Sequence, residues 1–190
     1  MFTRPRHLLA AAMALTLAAP CAAQQQPRPG LMGDLMRDVS DLQTKLVSLA
    51  KAIPAEKHAW RPAPGVRSVR EVLLHVAADN YLMPSAVGVR PDAATGISPT
   101  DFSTMTACET QKLSRDSTVA ALQTSFAHLA KAMADTPDAR LDETVRCFGQ
   151  DMTVRQVWVA TTTHLHEHLG QVIAYARTNR VVPPWSRKGG

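Results

Sequence analysis

Three histidines stand close together in the segment His164-Leu165-His166-Glu167-His168. In a helix, residues four apart lie about 40° from one another around the axis, so His164 and His168 share one face. His166 lies about 200° from His164 and is predicted to be exposed or to make a surface contact. Two imidazoles at this spacing are a recurring half of a metal site. Two buried histidines that only form hydrogen bonds would give the same pattern.

A metal site needs a third ligand, and His75 is the best candidate for it. It is the only histidine of its predicted helix, and Asp79 follows one turn later on the same side. Asp79 could coordinate an ion directly or orient an imidazole. The sequence therefore predicts a divalent-metal site at His75, His164 and His168, with Asp79 and Glu167 as candidates for proton transfer or support.

The remaining histidine patterns give weaker indications. His164-x-x-Glu167-His168 matches the motif of inverted zinc peptidases, which need a further acidic ligand downstream. No Asp or Glu follows Glu167 in this sequence, so a peptidase is not favoured. His58 falls in a predicted loop and His128 on a predicted helix, and both are expected to be structural or surface residues.

Four segments with helical periodicity must position these histidines. Ser68, with Glu71 three residues later, is a capping box that predicts a helix start. No segment is a convincing strand, and residues 85–110 and 141–152 are predicted to be irregular connections. The pattern favours an all-α, four-helix bundle. The predicted helices span residues 31–53, 68–83, 114–134 and 153–179.

The N-terminus has the features of a secretory signal peptide. Arg4 and Arg6 precede an apolar run, Leu8–Pro20, and small residues then offer a cleavage site before Gln24. Residues 1–23 are thus predicted to be a signal peptide and residues 24–30 a disordered spacer. The expected location is periplasmic or secreted. A lipid anchor on Cys21 is less favoured, because lipoprotein sites require a small residue directly before the cysteine, and Pro20 is at that position.

The charge and the cysteine content limit which binding partners and which covalent links the protein is expected to have. The formal net charge of +5 falls to +3 without the two signal-peptide arginines. The basic residues are scattered, which does not favour nucleic acid as a partner, and no later segment is long and apolar enough to cross a membrane. In an oxidising compartment Cys108 and Cys147 can form a disulfide, although two separate buried thiols remain an alternative.

Several segments together resemble the DinB-like superfamily, a family of metal-binding helical proteins. The resemblance spans residues 31–186 and leaves residues 187–190 as a tail; its motifs are Trp60-Arg61-Pro62-Ala63-Pro64-Gly65, Glu71-Val72-Leu73-Leu74-His75, His164-x-x-x-His168-Leu169-Gly170-Gln171 and Pro183-Pro184-Trp185-Ser186.

What the resemblance implies is a four-helix bundle that holds a divalent ion, such as nickel, zinc or manganese. The family's three metal ligands fall on His75, His164 and His168. The implied activity is that of a metal-dependent hydrolase or a thiol-dependent transferase acting on a small molecule. A non-catalytic metal- or ligand-binding protein of the cell envelope is the alternative, and a homodimer is compatible with either.

Overall fold

Five α-helices, five short 3-10 helices and one β-hairpin make up the regular structure of the described residues, 28–187, in a computed structural model. The predicted signal peptide lies outside the described residues, as do residues 24–27 of the predicted spacer and 188–190 of the tail. The elements are α1 Gly30–Ala52, α2 Val69–Leu82, α3 Ser103–Glu109, α4 Arg115–Ala134, β1 Thr144–Cys147, β2 Gln150–Thr153 and α5 Val154–Thr178.

The four long helices, α1, α2, α4 and α5, begin and end within one residue of their predicted bounds. Local capping explains this agreement. The Ser68 hydroxyl accepts a hydrogen bond from the Glu71 amide at 3.3 Å, and the Glu71 carboxylate accepts one from the Ser68 amide at 2.7 Å. Thr153 and Gln156 form the same reciprocal pair at the start of α5. Both helices that carry the predicted ligands are therefore fixed at their N-terminal ends.

One apolar core joins the long helices. α1 packs against α4 and α5, and α2 packs against the same two helices. Leu46 of α1, Phe126 of α4 and Trp158 of α5 are fully buried in this core. α2 and α5 also contact each other directly, so a side chain on α2 can meet one on α5.

The connections contain more structure than the sequence predicts. Residues 85–110 include α3, and residues 144–153 form an antiparallel hairpin, so the prediction of no strand is wrong there. Cys147 pairs with Gln150, which leaves Phe148-Gly149 as a two-residue loop. Phe148 has φ +49° and Gly149 has φ +76°, and both values are left-handed as a type I′ turn requires. The sequence does not predict this turn, because its two loop residues are Phe-Gly rather than the Asn-Gly that is typical of type I′ turns.

The two cysteines lie in these connections. Cys108 is a half-buried residue of α3, and Cys147 is buried in β1. Neither thiol forms a disulfide within residues 28–187.

The chain just before α1 lies against the end of α4. The Arg28 side chain donates hydrogen bonds to the carbonyl oxygens of Met133 and Thr136, at 3.3 and 2.7 Å, and pairs with Asp138. Gly33 allows this path, because a Cβ at that position would overlap the Arg28 carbonyl. Among the described helices, none has both the length and the apolar character needed to cross a bilayer.

The capping box at α2 gives a test of the fold. Ser68→Ala should lower the free energy of unfolding by about 1 kcal/mol, because the Glu71 amide loses its acceptor. Urea denaturation of the metal-free protein measures the change. Ser40→Ala, on an exposed position of α1, is the matched control and should leave stability within about 0.5 kcal/mol of the wild type. Equal stability of both variants would contradict the role of the box.

Candidate metal centre

Two helices each contribute two polar side chains to one point in the protein. His75 and Asp79 stand four residues apart on α2, and His164 and His168 stand four residues apart on α5. Each offers one ligand atom, and these four atoms all lie within 4.8 Å of one another. The imidazole ring centroids are 4.4–5.2 Å apart. The structure thus brings together the three histidines that the sequence predicts as ligands, with Asp79 as a fourth member of the cluster.

Asp79 joins the two helices. Its Oδ2 lies 2.7 Å from Nε2 of His164 and 3.0 Å from Nε2 of His75. The Asp79 side chain is only 11% exposed, so its charge depends on these neighbours rather than on water. Burial favours the neutral acid, but the hydrogen bonds from His164 and His75 outweigh it and lower the pKa of Asp79 to about 2. The carboxylate is therefore charged at neutral pH.

His168 shows most directly that this cluster can hold an ion. Its Nδ1 lies 2.9 Å from Oε1 of Gln171, and the Gln171 amide nitrogen donates to the Tyr175 hydroxyl. This arrangement places the ring proton on Nδ1 and the lone pair on Nε2. Nε2 is buried and has no hydrogen-bond partner among the described residues, although a buried acceptor without a partner is costly. Burial also lowers the pKa of His168, which keeps that lone pair free.

Glu109, a site residue that the sequence does not predict, pairs with Nδ1 of His75, the ring nitrogen that faces away from the cluster. Glu109 Oε1 lies 2.6 Å from Nδ1 of His75, and Arg67 forms a two-point pair with the same carboxylate at 2.8 and 3.2 Å. A carboxylate on the outer nitrogen fixes the ring and directs Nε2 inward, as in many metal sites. Glu109 ends α3, inside the segment predicted to be irregular, so no local sequence pattern points to it.

Without a bound cation, His75 is in its positively charged form at neutral pH. Burial opposes the positive charge, but the hydrogen bonds to Asp79 and Glu109 outweigh it and raise the pKa of His75 to about 9. A cation bound at Nε2 would replace that proton, since imidazole binds metals in its neutral form.

Glu167, the other predicted candidate for proton transfer, lies at the edge of the cluster. Its Oε2 is 3.9 Å from Nδ1 of His164, beyond hydrogen-bond distance, and the side chain is 77% exposed. His166 points away, as its helical position predicts, and its Nε2 lies 2.9 Å from Asp38 of α1.

His58 and His128 lie outside the cluster. His58 is buried beyond the end of α1. Its Nε2 lies 3.1 Å from the Ala50 carbonyl oxygen. His128 lies on α4 with its ring centroid 5.1 Å from that of Tyr81. Nδ1 of His58 and Nε2 of His128 are also buried without a partner among the described residues, but neither histidine belongs to a described group of three or more potential ligands, which agrees with the predicted structural role.

The cluster lies beside a cavity of about 400 Å³. Four polar residues of the site, His75, Asp79, Glu109 and His164, form part of its lining. The rest of the lining is apolar, and it consists of Leu82, Met83, Phe102, Met105, Phe148 and Ala160. The volume is that of a small-molecule site.

The fold and the site together define a class of protein. Its members are mostly helical and have a buried His/Asp cluster that could hold a metal ion. The sequence model of the DinB superfamily matches residues 39–172. The chain therefore belongs to the DinB superfamily.

Two solved structures share the fold. A DinB-like protein from Bacillus cereus has a TM-score of 0.65 and 15% identity, and the match covers 79% of this chain and 93% of that one. A DinB-like protein from Bacillus subtilis has a TM-score of 0.61 and 15% identity, with 78% and 93% of the two chains covered. No protein with a curated description matches the sequence.

The titration of His75 gives a test on metal-free protein. Folding raises the pKa of His75 from 6.5 to about 9. Its stabilising contribution is therefore complete below pH 6.5 and is lost as the pH rises through 9. In chelator-treated wild type, we expect this loss to contribute about 3 kcal/mol to the fall in unfolding free energy between pH 6 and 9.5.

Urea denaturation at the two pH values measures this loss. His75→Gln should show a smaller decrease than the wild type, because glutamine does not titrate, whereas His166→Ala should behave as wild type. An equal decrease in wild type and His75→Gln would show that His75 does not hold the proton.

Proposed function

We propose that the protein binds one divalent metal ion through Nε2 of His75, His164 and His168 and Oδ2 of Asp79. The observation that carries this proposal is the buried Nε2 of His168, which lacks a partner while three other ligand atoms lie within 4.8 Å. The donor set is rich in imidazole nitrogen, which suits nickel or zinc, and its carboxylate is also compatible with manganese. A divalent ion beside the Asp79 carboxylate leaves one net positive charge at the site.

We further propose that the site acts on a small molecule, as a metal-dependent hydrolase or a thiol-dependent transferase. The adjoining cavity, whose lining combines four polar residues with six apolar ones, supports this proposal. A bound divalent ion would supply Lewis acidity, which polarises a carbonyl group and lowers the pKa of a coordinated water or thiol.

The protein's own side chains have separate tasks in this proposal. Glu109 keeps the proton of His75 on Nδ1, and Gln171 does the same for His168, so both rings present Nε2 to the ion. Asp79 has a pKa of about 2, which makes it a weak base and suits it to coordination. Glu167 is the nearby carboxylate without such a task, and its exposure allows it to exchange a proton with solvent.

The sequence adds four expectations to this proposal. The four long helices would form the four-helix bundle of the family. The predicted signal peptide would direct the protein to the periplasm or the medium. In that oxidising setting Cys108 and Cys147 would be able to pair, and a homodimer stays compatible with the site.

Removal of one ligand tests the metal site. Purified wild type should retain about one equivalent of zinc or nickel after loading and desalting, and His168→Ala should retain no more than about a tenth of that. The variant loses a ligand that nothing else in the pocket replaces. Elemental analysis measures the content. His166→Ala, two residues away and pointing outward, is the control and should match the wild type. Full metal content in His168→Ala would refute the site.

A turnover screen then separates an enzyme from a binding protein. Metal-loaded wild type and His168→Ala are compared on thiol-transfer substrates and on small esters and amides. Turnover that is present in wild type and lost in His168→Ala supports the enzyme. Stoichiometric metal without turnover of any substrate supports the alternative, a metal- or ligand-binding protein of the cell envelope.

A further inference from the structure

Two phenylalanines stand on the exposed side of the cavity at the metal centre. Phe102 comes directly before α3, and Phe148 is the first residue of the hairpin loop. Their side chains line the same cavity as His75, Asp79 and His164. The residues are 53% and 57% exposed, and the ring centroids are 5.9 Å apart with the ring planes at 38°. The two rings contact each other, yet much of their surface remains open to solvent.

Phe148 is an unfavourable residue for folding at its position. Its φ of +49° is left-handed, where a bulky side chain is strained and Asn or Gly is preferred. The ring recovers little by burial, since more than half of the residue is exposed. Neither backbone preference nor core packing explains a phenylalanine here. Strained residues of this kind cluster at ligand sites.

The cavity has two chemically different ends. Its polar end is the His/Asp cluster, and its walls include the buried side chains of Leu82, Met83 and Met105. Methionine side chains are flexible and adapt to ligands of different shape. No lysine or arginine belongs to the lining as the described residues define it. The apolar end therefore offers nothing to hold a charged group.

The charges at the polar end of the cavity determine which head group of a ligand would match it. With a divalent ion bound, the Asp79 carboxylate leaves one net positive charge, while Arg67 neutralises Glu109. A head group with one negative charge, such as a thiolate, carboxylate or hydroxamate, would balance this charge.

We propose that Phe102 and Phe148 bind the uncharged, apolar tail of a small molecule whose singly negative head group binds at the His/Asp cluster. The two rings are thus specificity-determining residues, and the substrate class is an amphiphile that fits about 400 Å³. This inference rests on the proposed metal site and extends it, because it identifies which part of the ligand each end of the cavity recognises.

A series of hydroxamates with lengthening alkyl chains, from acetohydroxamate to octanohydroxamate, tests the proposal on metal-loaded protein. Calorimetry should show wild-type affinity rising about threefold for each added methylene, the gain expected for burying hydrocarbon. In Phe148→Gly and in Phe102→Ala, the affinity for acetohydroxamate should stay unchanged and the gain per methylene should fall. Trp185→Ala, an exposed aromatic outside this cavity, should keep the full gain.

Thermal unfolding provides a second measurement that does not depend on the metal. Phe148→Gly should have a Tm equal to or above that of wild type, because glycine removes the left-handed strain. A clear fall in Tm would show that Phe148 anchors the hairpin and would overturn its assignment to ligand binding. Phe102→Ala, whose backbone is right-handed, still tests the cavity if the hairpin variant fails to fold.

The outcomes separate this inference from the proposed function. Wild type that holds no metal refutes the metal site itself. Metal-loaded wild type that binds acetohydroxamate but shows the same gain per methylene as both variants overturns the inference alone. A wild-type dimer that dissociates in Phe148→Gly, seen by sedimentation, would also overturn it, because the rings would then be an interface between two copies of the chain.

Discussion

The carboxylate of Asp79 lies between two imidazole nitrogens from two different helices, and the rest of the site depends on this placement. It links α2 to α5 through short polar contacts at the edge of an apolar core. Partly satisfied polar networks are less favourable than apolar packing of the same volume. Here one member, Nε2 of His168, has no partner in the part of the chain that the structure describes. A cluster with this defect is poorly explained by stability alone and well explained by an ion that all four groups would share.

The long helices and the connections contribute different parts of the centre. α2 and α5 supply the four inner side chains on rigid, capped helices, so their ligand atoms converge. The connections supply the surroundings: α3 ends in Glu109, which fixes His75, and the hairpin and the residue before α3 bring Phe148 and Phe102 to the cavity. A rigid scaffold with variable connections allows one metal site to serve different ligands.

Local rules account for what the sequence could predict. The helix bounds follow from periodicity and from caps such as Ser68 and Thr153, whose partners are three residues away. Helical geometry also separates His166, which meets Asp38 at the surface, from His164. The third histidine, His75, follows from its place on a predicted helix one turn before Asp79, and the family resemblance implies the same residue.

Non-local contacts explain what the sequence could not predict. Glu109 reaches His75 across 34 positions of the chain, and only the fold of α3 brings them together. The sequence does not predict the hairpin, because Phe148 adopts a left-handed backbone conformation that phenylalanine disfavours. That conflict between local preference and observed structure is typical of functional positions.

We propose that one divalent ion lies among His75, Asp79, His164 and His168. Anomalous diffraction at the absorption edge of the metal found in the purified protein tests it most directly. We expect a single strong peak within bonding distance of Nε2 in all three histidines and of Oδ2 in Asp79. A metal-containing crystal with its peak elsewhere, and with Nε2 of His168 hydrogen-bonded only to water or protein, would contradict it.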